Sequence, residues 1–169
     1  MDVGTGLGVV ATLCAQRIGA ERVHTYEANP ELERPIRETF LLNDVYPRLE
    51  MCLLGKTAGE GEFHVSRDFW SSSTVPGRSR SRTIRVPRRS INDELARVRP
   101  SFLIVDIEGG EYELFDGIDL SGIRKLALEL HERVIGPAKT EVVKRRLMSA
   151  GFRVSTALSE HEQMFFERD

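Results

Sequence analysis

Cysteine is scarce in this chain: Cys14 and Cys52 are the only two in 169 residues. That excludes a disulfide-built scaffold. Both lie in apolar surroundings, where they read as small hydrophobes of a reducing compartment. No apolar run approaches the ~20 residues that a membrane-spanning helix needs. Met1 is followed at once by an acid and glycines, not by the basic and apolar regions of a signal peptide. These absences lead us to expect a cytoplasmic protein without a membrane partner. Neither sign of charge prevails: 24 Lys and Arg stand against 26 Asp and Glu, for a net charge of −2. A dedicated nucleic-acid binder would carry a basic excess. Internal repeats are lacking as well. What is present is 40% hydrophobic and 30% charged residues, the composition of a single globular domain over residues 1–169 with a sizeable core.

The most informative stretch comes first: Asp2-Val3-Gly4-Thr5-Gly6-Leu7-Gly8. A glycine-rich turn that opens a helix lets an α/β protein bring backbone close to a nucleotide-like ligand. The apolar-periodic segment from Val9 to Ile18 reads as that helix, and Val23 to Glu27 as a strand ending on an acid. Glu27 stands about 20 residues past the glycines, the spacing at which a carboxylate takes a ribose diol in a βαβ unit. Dinucleotide sites carry G-x-G-x-x-G, whereas this turn is G-x-G-x-G led by an acid. That pattern suits an adenosyl ligand without a pyrophosphate and weakens an NAD-dependent dehydrogenase reading.

Along the chain, Pro30 to Asn43 reads as a helix capped by Asn29, with Leu32, Ile36, Phe40 and Leu41 facing inward. Leu49 to Leu54 reads as a strand, and Glu62 to Val65 as an antiparallel addition. Residues 66–89 are polar and arginine-rich, the pattern of a long loop holding one short strand, Thr83 to Val86. Poor order without an acceptor is expected near residues 70–82. Ser90 caps a short helix. Phe102 to Ile107 is the apolar run of a central strand buried on both faces. A helix begins at Glu111, whose charge suits a helix N-terminus. Ile123 to Leu130 is a further strand, Thr140 to Ala150 a helix closed by Gly151, and Phe152 to Leu158 pairs with Gln163 to Glu167. This alternation predicts an α/β fold: a Rossmann-like, doubly wound, mostly parallel sheet with an antiparallel C-terminal strand pair.

Asp2-x-Gly4-x-Gly6, followed by Tyr26-Glu27-Ala28-Asn29-Pro30, resembles motif I and the acidic post-strand-2 motif of class I S-adenosylmethionine-dependent methyltransferases. Ile104-Val105-Asp106-Ile107-Glu108-Gly109-Gly110-Glu111, with Gly117 beyond it, is similar to the D-x-E-G-x-E stretch that FkbM-family members run after strand four. The resemblance spans nearly the whole chain. It implies S-adenosyl-L-methionine as the cofactor, held by Asp2, Gly4, Thr5, Gly6, Gly8, Glu27, Ala28 and Asp106. Asp2 would anchor the glycine turn or meet the methionine amino group. In the resembled family, apolar residues of the central strand precede that aspartate. Here Met1 directly precedes Asp2, so the first central strand is expected to be missing but for its last residue. The chain is then expected to be the remainder of a longer protein, weakened in stability and cofactor binding.

Methyl transfer from a sulfonium needs alignment and, for a hydroxyl acceptor, somewhere to place its proton. Ligands of open α/β sheets lie at the carboxyl ends of strands, so Asp2, Glu27, Asp106 and His131 are expected to share one crevice. Asp106, Glu108 and His131 are the candidate catalytic residues. Asp106 would act as base, orient the acceptor or hold the cofactor's ammonium. His131 would abstract a proton or serve only as a hydrogen-bonded structural residue. The three are competent metal ligands, but no compact ligand motif accompanies them and no metal is expected. Arg78, Arg80, Arg82, Arg85, Arg88 and Arg89, with Phe69 and Trp70 nearby, would receive an acidic acceptor or form a solvated loop. No Asn-Pro-Pro-Tyr or Asp-Pro-Pro-Tyr follows strand four, and neither cysteine lies there. Elimination and resemblance together favour O-methylation of a small-molecule or sugar hydroxyl, sugar-like or acidic. The alternative is a non-catalytic Rossmann-like module that binds an adenosyl ligand or a partner protein.

Overall fold

The computed structural model describes residues 1–66 and 81–169. The elements run β1 (Asp2–Val3), α1 (Val9–Ile18), β2 (His24–Glu27), α2 (Glu33–Leu42), β3 (Arg48–Met51), β4 (Leu53–Gly55), β5 (Gly59–Ser66) and β6 (Ser81–Ser90). They continue with α3 (Ile91–Val98), β7 (Phe102–Val105), α4 (Glu111–Leu114), β8 (Lys125–Glu129), α5 (Glu132–Ile135), α6 (Pro137–Ser149), β9 (Arg153–Val154) and β10 (Gln163–Glu167). A seven-stranded sheet has the order β3-β2-β1-β7-β8-β10-β9. Its first five strands are parallel, and β10 runs antiparallel to both β8 and β9. A second, three-stranded sheet has the order β4-β6-β5.

Side chains alternate across a strand, so a doubly wound sheet builds a core on each face. The larger cluster joins Val3, Tyr26, Leu103, Val105, Leu126 and Leu128 of the sheet to residues of α3, α4 and α6. The smaller one joins Ala11 and Ala15 of α1 to Ile36 and Phe40 of α2, reaching Val23, Leu49 and Met51. It does not extend to β7 or β8, and Phe102 and Ile104 are accordingly only half-buried. Strand β7 is therefore sealed on one face rather than on both.

The central strand is present as the short β1, which pairs with β2 on one side and β7 on the other. Backbone bonds continue to the first residue: the Met1 amino group donates to the Phe102 carbonyl at 2.9 Å, and Ile104 N–H donates to the Met1 carbonyl at 2.9 Å. Both predicted caps are made. Asn29 accepts from the Glu31 N–H at 3.1 Å and Ser90 from the Asp93 N–H at 3.3 Å. Leu41, expected inward, is 65% exposed, because it lies a helical step beyond the buried Ile36–Phe40 stripe.

Other expectations shift for local reasons. The strand expected over Leu49–Leu54 is broken at Cys52, whose N–H turns back to the Glu50 carbonyl at 3.1 Å. Its first part stays in the large sheet and its second part, β4, starts the small one. The short strand at Thr83–Val86 is the middle of the ten-residue β6. The expectation of poor order near residues 70–82 falls on residues 67–80, outside the described residues, as do Phe69, Trp70, Arg78 and Arg80; residues 81 and 82 belong to β6. The helix over Thr140–Ala150 begins earlier, at Pro137, where proline suits the first helical position. The last strand pair forms, but β9 spans only Arg153–Val154. Among the described residues, no helix is long and apolar enough to cross a membrane.

Candidate active site

The crevice opens at the carboxyl ends of β1, β2 and β7. Gly4 and Thr5 donate their N–H groups to the Tyr26 carbonyl at 3.0 and 3.1 Å, which fastens the glycine turn to β2. A Cβ on Gly4 would lie 1.7 Å from the Asp106 carbonyl oxygen, and φ there is +82°. Only glycine lets the turn rest on the end of β7 in this way. A Cβ on Gly8 would lie 2.8 Å from the Phe40 ring, so Gly8 sets the approach of α1 to α2 rather than facing the crevice.

Glu27 ends β2 and is only 6% exposed. Its Oε2 accepts from the Gly6 N–H at 3.0 Å and its Oε1 from the Asn29 N–H at 2.8 Å. The carboxylate is thus held at the mouth of the glycine turn with lone pairs to spare. Burial pushes its protonation upward, and the three backbone donors Asn29, Gly6 and Ala28 oppose that.

Gly4, Gly6, Glu27, Ala28, Asp106 and Glu108 all line one crevice of about 720 Å³. That lies within the ~300–1,000 Å³ of small-molecule sites. Asp2, Thr5 and Gly8 do not line it. Asp2 is buried, and its Oδ2 accepts from Thr5 Oγ1 at 2.5 Å and Thr25 Oγ1 at 3.3 Å. Two hydroxyls thus tie its carboxylate to the base of the glycine turn and to β2.

The small sheet forms the opposite wall. Phe63, Val65 and Val86 bury a cluster against Ala28, Leu53 and Ile84. Arg82 on β6 pins this sheet to the β2–α2 junction through Glu31 at 2.7 Å. Of the arginines expected to await an acidic acceptor, those among the described residues are engaged: Arg85 meets Glu60, and Arg89 meets Glu50 and Glu94. Arg88 lines the crevice, with its guanidinium on Thr57.

A cluster of acids surrounds one imidazole beside the crevice. His131 follows β8 and is 9% exposed. Its Nδ1 lies 2.7 Å from Oε1 of Glu111, which is fully buried and also accepts from the Gly109 N–H at 2.9 Å. Its Nε2 lies 3.2 Å from Glu108, 3.7 Å from Asp106 and 3.9 Å from Glu129. Burial works to lower the His131 pKa, but the Glu111 hydrogen bond and the charges of Glu108, Glu111 and Asp106 raise it to about 9. Burial, then repulsion from Glu129, raises Asp106 to about 6. Burial, against the attraction of His131, raises Glu108 to about 7. Among the described residues, Asp106, Glu129 and His131 offer ligand atoms within 4.8 Å of one another. As a set, the cluster is competent to receive a proton from a hydroxyl at the crevice.

A model of the methyltransferase FkbM domain matches residues 2–154. This chain belongs to the FkbM methyltransferase family. No curated protein sequence matches it. Solved structures similar to this FkbM methyltransferase include a ribosomal protein L11 methylase from Lactobacillus delbrueckii subsp. bulgaricus, at 15% identity and a TM-score of 0.51. The match covers 99% of this chain and 69% of that one. A precorrin-6y C5,15-methyltransferase from Geobacter metallireducens GS-15 is similar at 14% identity and a TM-score of 0.50, covering 98% of this chain and 75% of that one. At such identities the likeness concerns the fold alone.

Two site features of this FkbM methyltransferase escaped the sequence. Glu111 reads from the sequence more as an acid of the α4 terminus than as part of the chemistry, yet it is the inner partner of His131. The β7–β8 pairing brings residues 111 and 131 together, and no local spacing announces it. The wall formed by the small sheet was hidden because β4 and β6 lie far apart in sequence.

Protonation of the cluster should be readable in stability. The His131 pKa is raised from an ordinary 6.5 to about 9, so its favourable contribution is complete below the unfolded value. It is lost as pH rises through the folded one. The melting temperature should therefore fall between pH ~6.5 and ~9, and His131→Gln should flatten that fall. Identical slopes for both proteins in closely spaced buffers would contradict the assignment.

Proposed function

We propose that this FkbM-family protein transfers a methyl group from S-adenosylmethionine to a hydroxyl oxygen of a small molecule or sugar. The observation that carries the reading is the placement of Asp106 and Glu108 on the same crevice as Gly6 and Glu27. A ribose-binding carboxylate at one point and proton-accepting carboxylates at another are what such a transfer requires. When bound, S-adenosylmethionine supplies an electrophilic methyl on a sulfonium. Glu27, preset by its two backbone bonds, receives the ribose diol. Gly6 has nothing within 4 Å of its would-be Cβ, which leaves room for a ligand against the turn. Ala28 and Leu53 offer apolar surface beside it. The acidic lining stabilises a cation, and the buried walls keep water from competing for the methyl.

The test is calorimetric titration with S-adenosylmethionine, S-adenosylhomocysteine and NAD, followed by methyl transfer to a panel of hydroxyl compounds. Binding of the first two but not NAD, with a methyl ether as product, is expected. Binding without transfer to any acceptor class would point to the non-catalytic module instead. Glu27→Ala should weaken S-adenosylmethionine binding by about 1.5–3 kcal/mol, the worth of hydrogen bonds to a charged group. Unchanged affinity in the folded variant would remove Glu27 from the ribose.

A further inference from the structure

We propose that Glu108 is the residue that takes the acceptor's proton, with Glu111 and His131 as positioning residues behind it. This rests on the methyl-transfer reading above.

Three observations divide the labour. Glu108 lines the crevice and His131 does not. The imidazole is 9% exposed and stands between the buried Glu111 and the crevice carboxylates. Both its nitrogens face carboxylate oxygens, Nδ1 at 2.7 Å and Nε2 at 3.2 Å. A ring so placed keeps its two protons and donates both, so it is poorly suited to accept another. Second, Glu108 is held in the left-handed region at φ +54°, followed by Gly109 at φ +106°. A non-glycine residue there stores strain that its surroundings must maintain. Glu111 supplies that hold, because one oxygen grips both the Gly109 N–H and the imidazole. Third, Asp106 is tied by its backbone to the glycine turn, its carbonyl packed on Gly4 and its N–H donating to Val3. Glu108, two residues on, carries the crevice carboxylate nearer to the imidazole, at 3.2 Å from Nε2 against 3.7 Å for Asp106.

In the transfer, the acceptor oxygen forms the new C–O bond as the C–S bond breaks, with that electron pair remaining on sulfur. The hydroxyl proton passes to the Glu108 carboxylate and leaves from there to solvent. His131, protonated and fixed, keeps Glu108 from being protonated too early.

The closing experiment reads the groups directly. Carboxyl-13C and imidazole-15N NMR titrations are run on the wild type, Glu111→Gln and His131→Gln, alongside S-adenosylmethionine calorimetry. In the wild type both His131 nitrogens should be protonated at neutral pH. Glu111→Gln should move the His131 midpoint down by ~1 unit or more, and His131→Gln should move the Glu108 midpoint up. A merely structural role would leave both midpoints where they are in the wild type. If Glu111→Gln fails to fold, His131→Gln must still raise the Glu108 midpoint. Glu108→Gln should weaken S-adenosylmethionine binding by no more than a few-fold, yet methylate ~10²–10⁴-fold more slowly. A neutral His131 at pH 7, a Glu108 midpoint indifferent to both variants, or full turnover by Glu108→Gln overturns the assignment. Failure of the wild type to bind S-adenosylmethionine would instead remove the methyl-transfer reading and leave the titrations to be judged alone.

Discussion

Gly4→Ala should abolish this fold's stability margin. The added carbon would lie 1.7 Å from the Asp106 carbonyl oxygen and 2.7 Å from its carbonyl carbon, and both are backbone atoms that cannot swing aside. At φ +82° the alanine itself would be strained by ~1–2 kcal/mol before any collision. Relief requires the turn to lift from β7, breaking the Gly4 and Thr5 bonds to the Tyr26 carbonyl. A cost beyond ~4–5 kcal/mol is expected, a large share of the ~5–15 kcal/mol that holds a domain together. Gly6→Ala is the control. At φ +55° it carries the same left-handed strain of ~1–2 kcal/mol but has nothing within 4 Å of the new carbon, so it should keep the fold and lose cofactor affinity instead. Urea titration of both variants decides the matter. A Gly4→Ala protein with a midpoint near that of the wild type would show that the glycine turn does not press on β7.

Asp106→Asn should separate activity from stability. Oδ1 of Asp106 is buried without a hydrogen-bond partner, and the carboxylate is pushed up to about 6 by burial and by Glu129. A charge kept under such conditions costs the folded protein something, and removing it offsets that cost. The melting temperature at neutral pH should therefore hold or rise. Turnover should fall by about 10²–10³-fold, because the acidic field across the crevice is weakened where the reaction needs it. Methyl-transfer rates and thermal melts on the same preparation test both halves. Near-normal turnover would make Asp106 structural, and a large fall in melting temperature would mean that its charge supports the fold.

Local chemistry made much of this molecule legible in advance. The glycine turn, the Glu27 strand end, the Asn29 and Ser90 caps and the Asp106–Glu111 stretch all depend on neighbours within a few residues, so spacing reveals them. The course of the parallel strands followed from apolar runs alternating with helical periodicity. What stayed hidden depends on pairing over long distances. Glu111 meets His131 only because β7 and β8 are adjacent. Glu94, which reads as an acid of the first turn of α3, is 6% exposed and accepts from the Tyr26 hydroxyl at 2.7 Å while also binding Arg97. The break at Cys52 hands one apolar run to two sheets, and an unbroken run gives no sign of it. The Thr25 hydroxyl that meets Asp2 is likewise a distant partner, brought in by the β1–β2 pairing.

The sign of the crevice also bears on how a catalytic cycle ends. Glu27, Asp106 and Glu108 line it, whereas two of its cations, Lys56 and Lys139, are already bound to Asp116 and Glu113. In the proposed reaction the sulfur enters positively charged and emerges as a neutral thioether. The walls that attract the incoming form therefore have less hold on the spent one, and each turnover loosens its own product. Because that preference is coulombic, rising ionic strength should narrow the gap between the affinities for S-adenosylmethionine and S-adenosylhomocysteine. Product inhibition would then be felt most in concentrated salt.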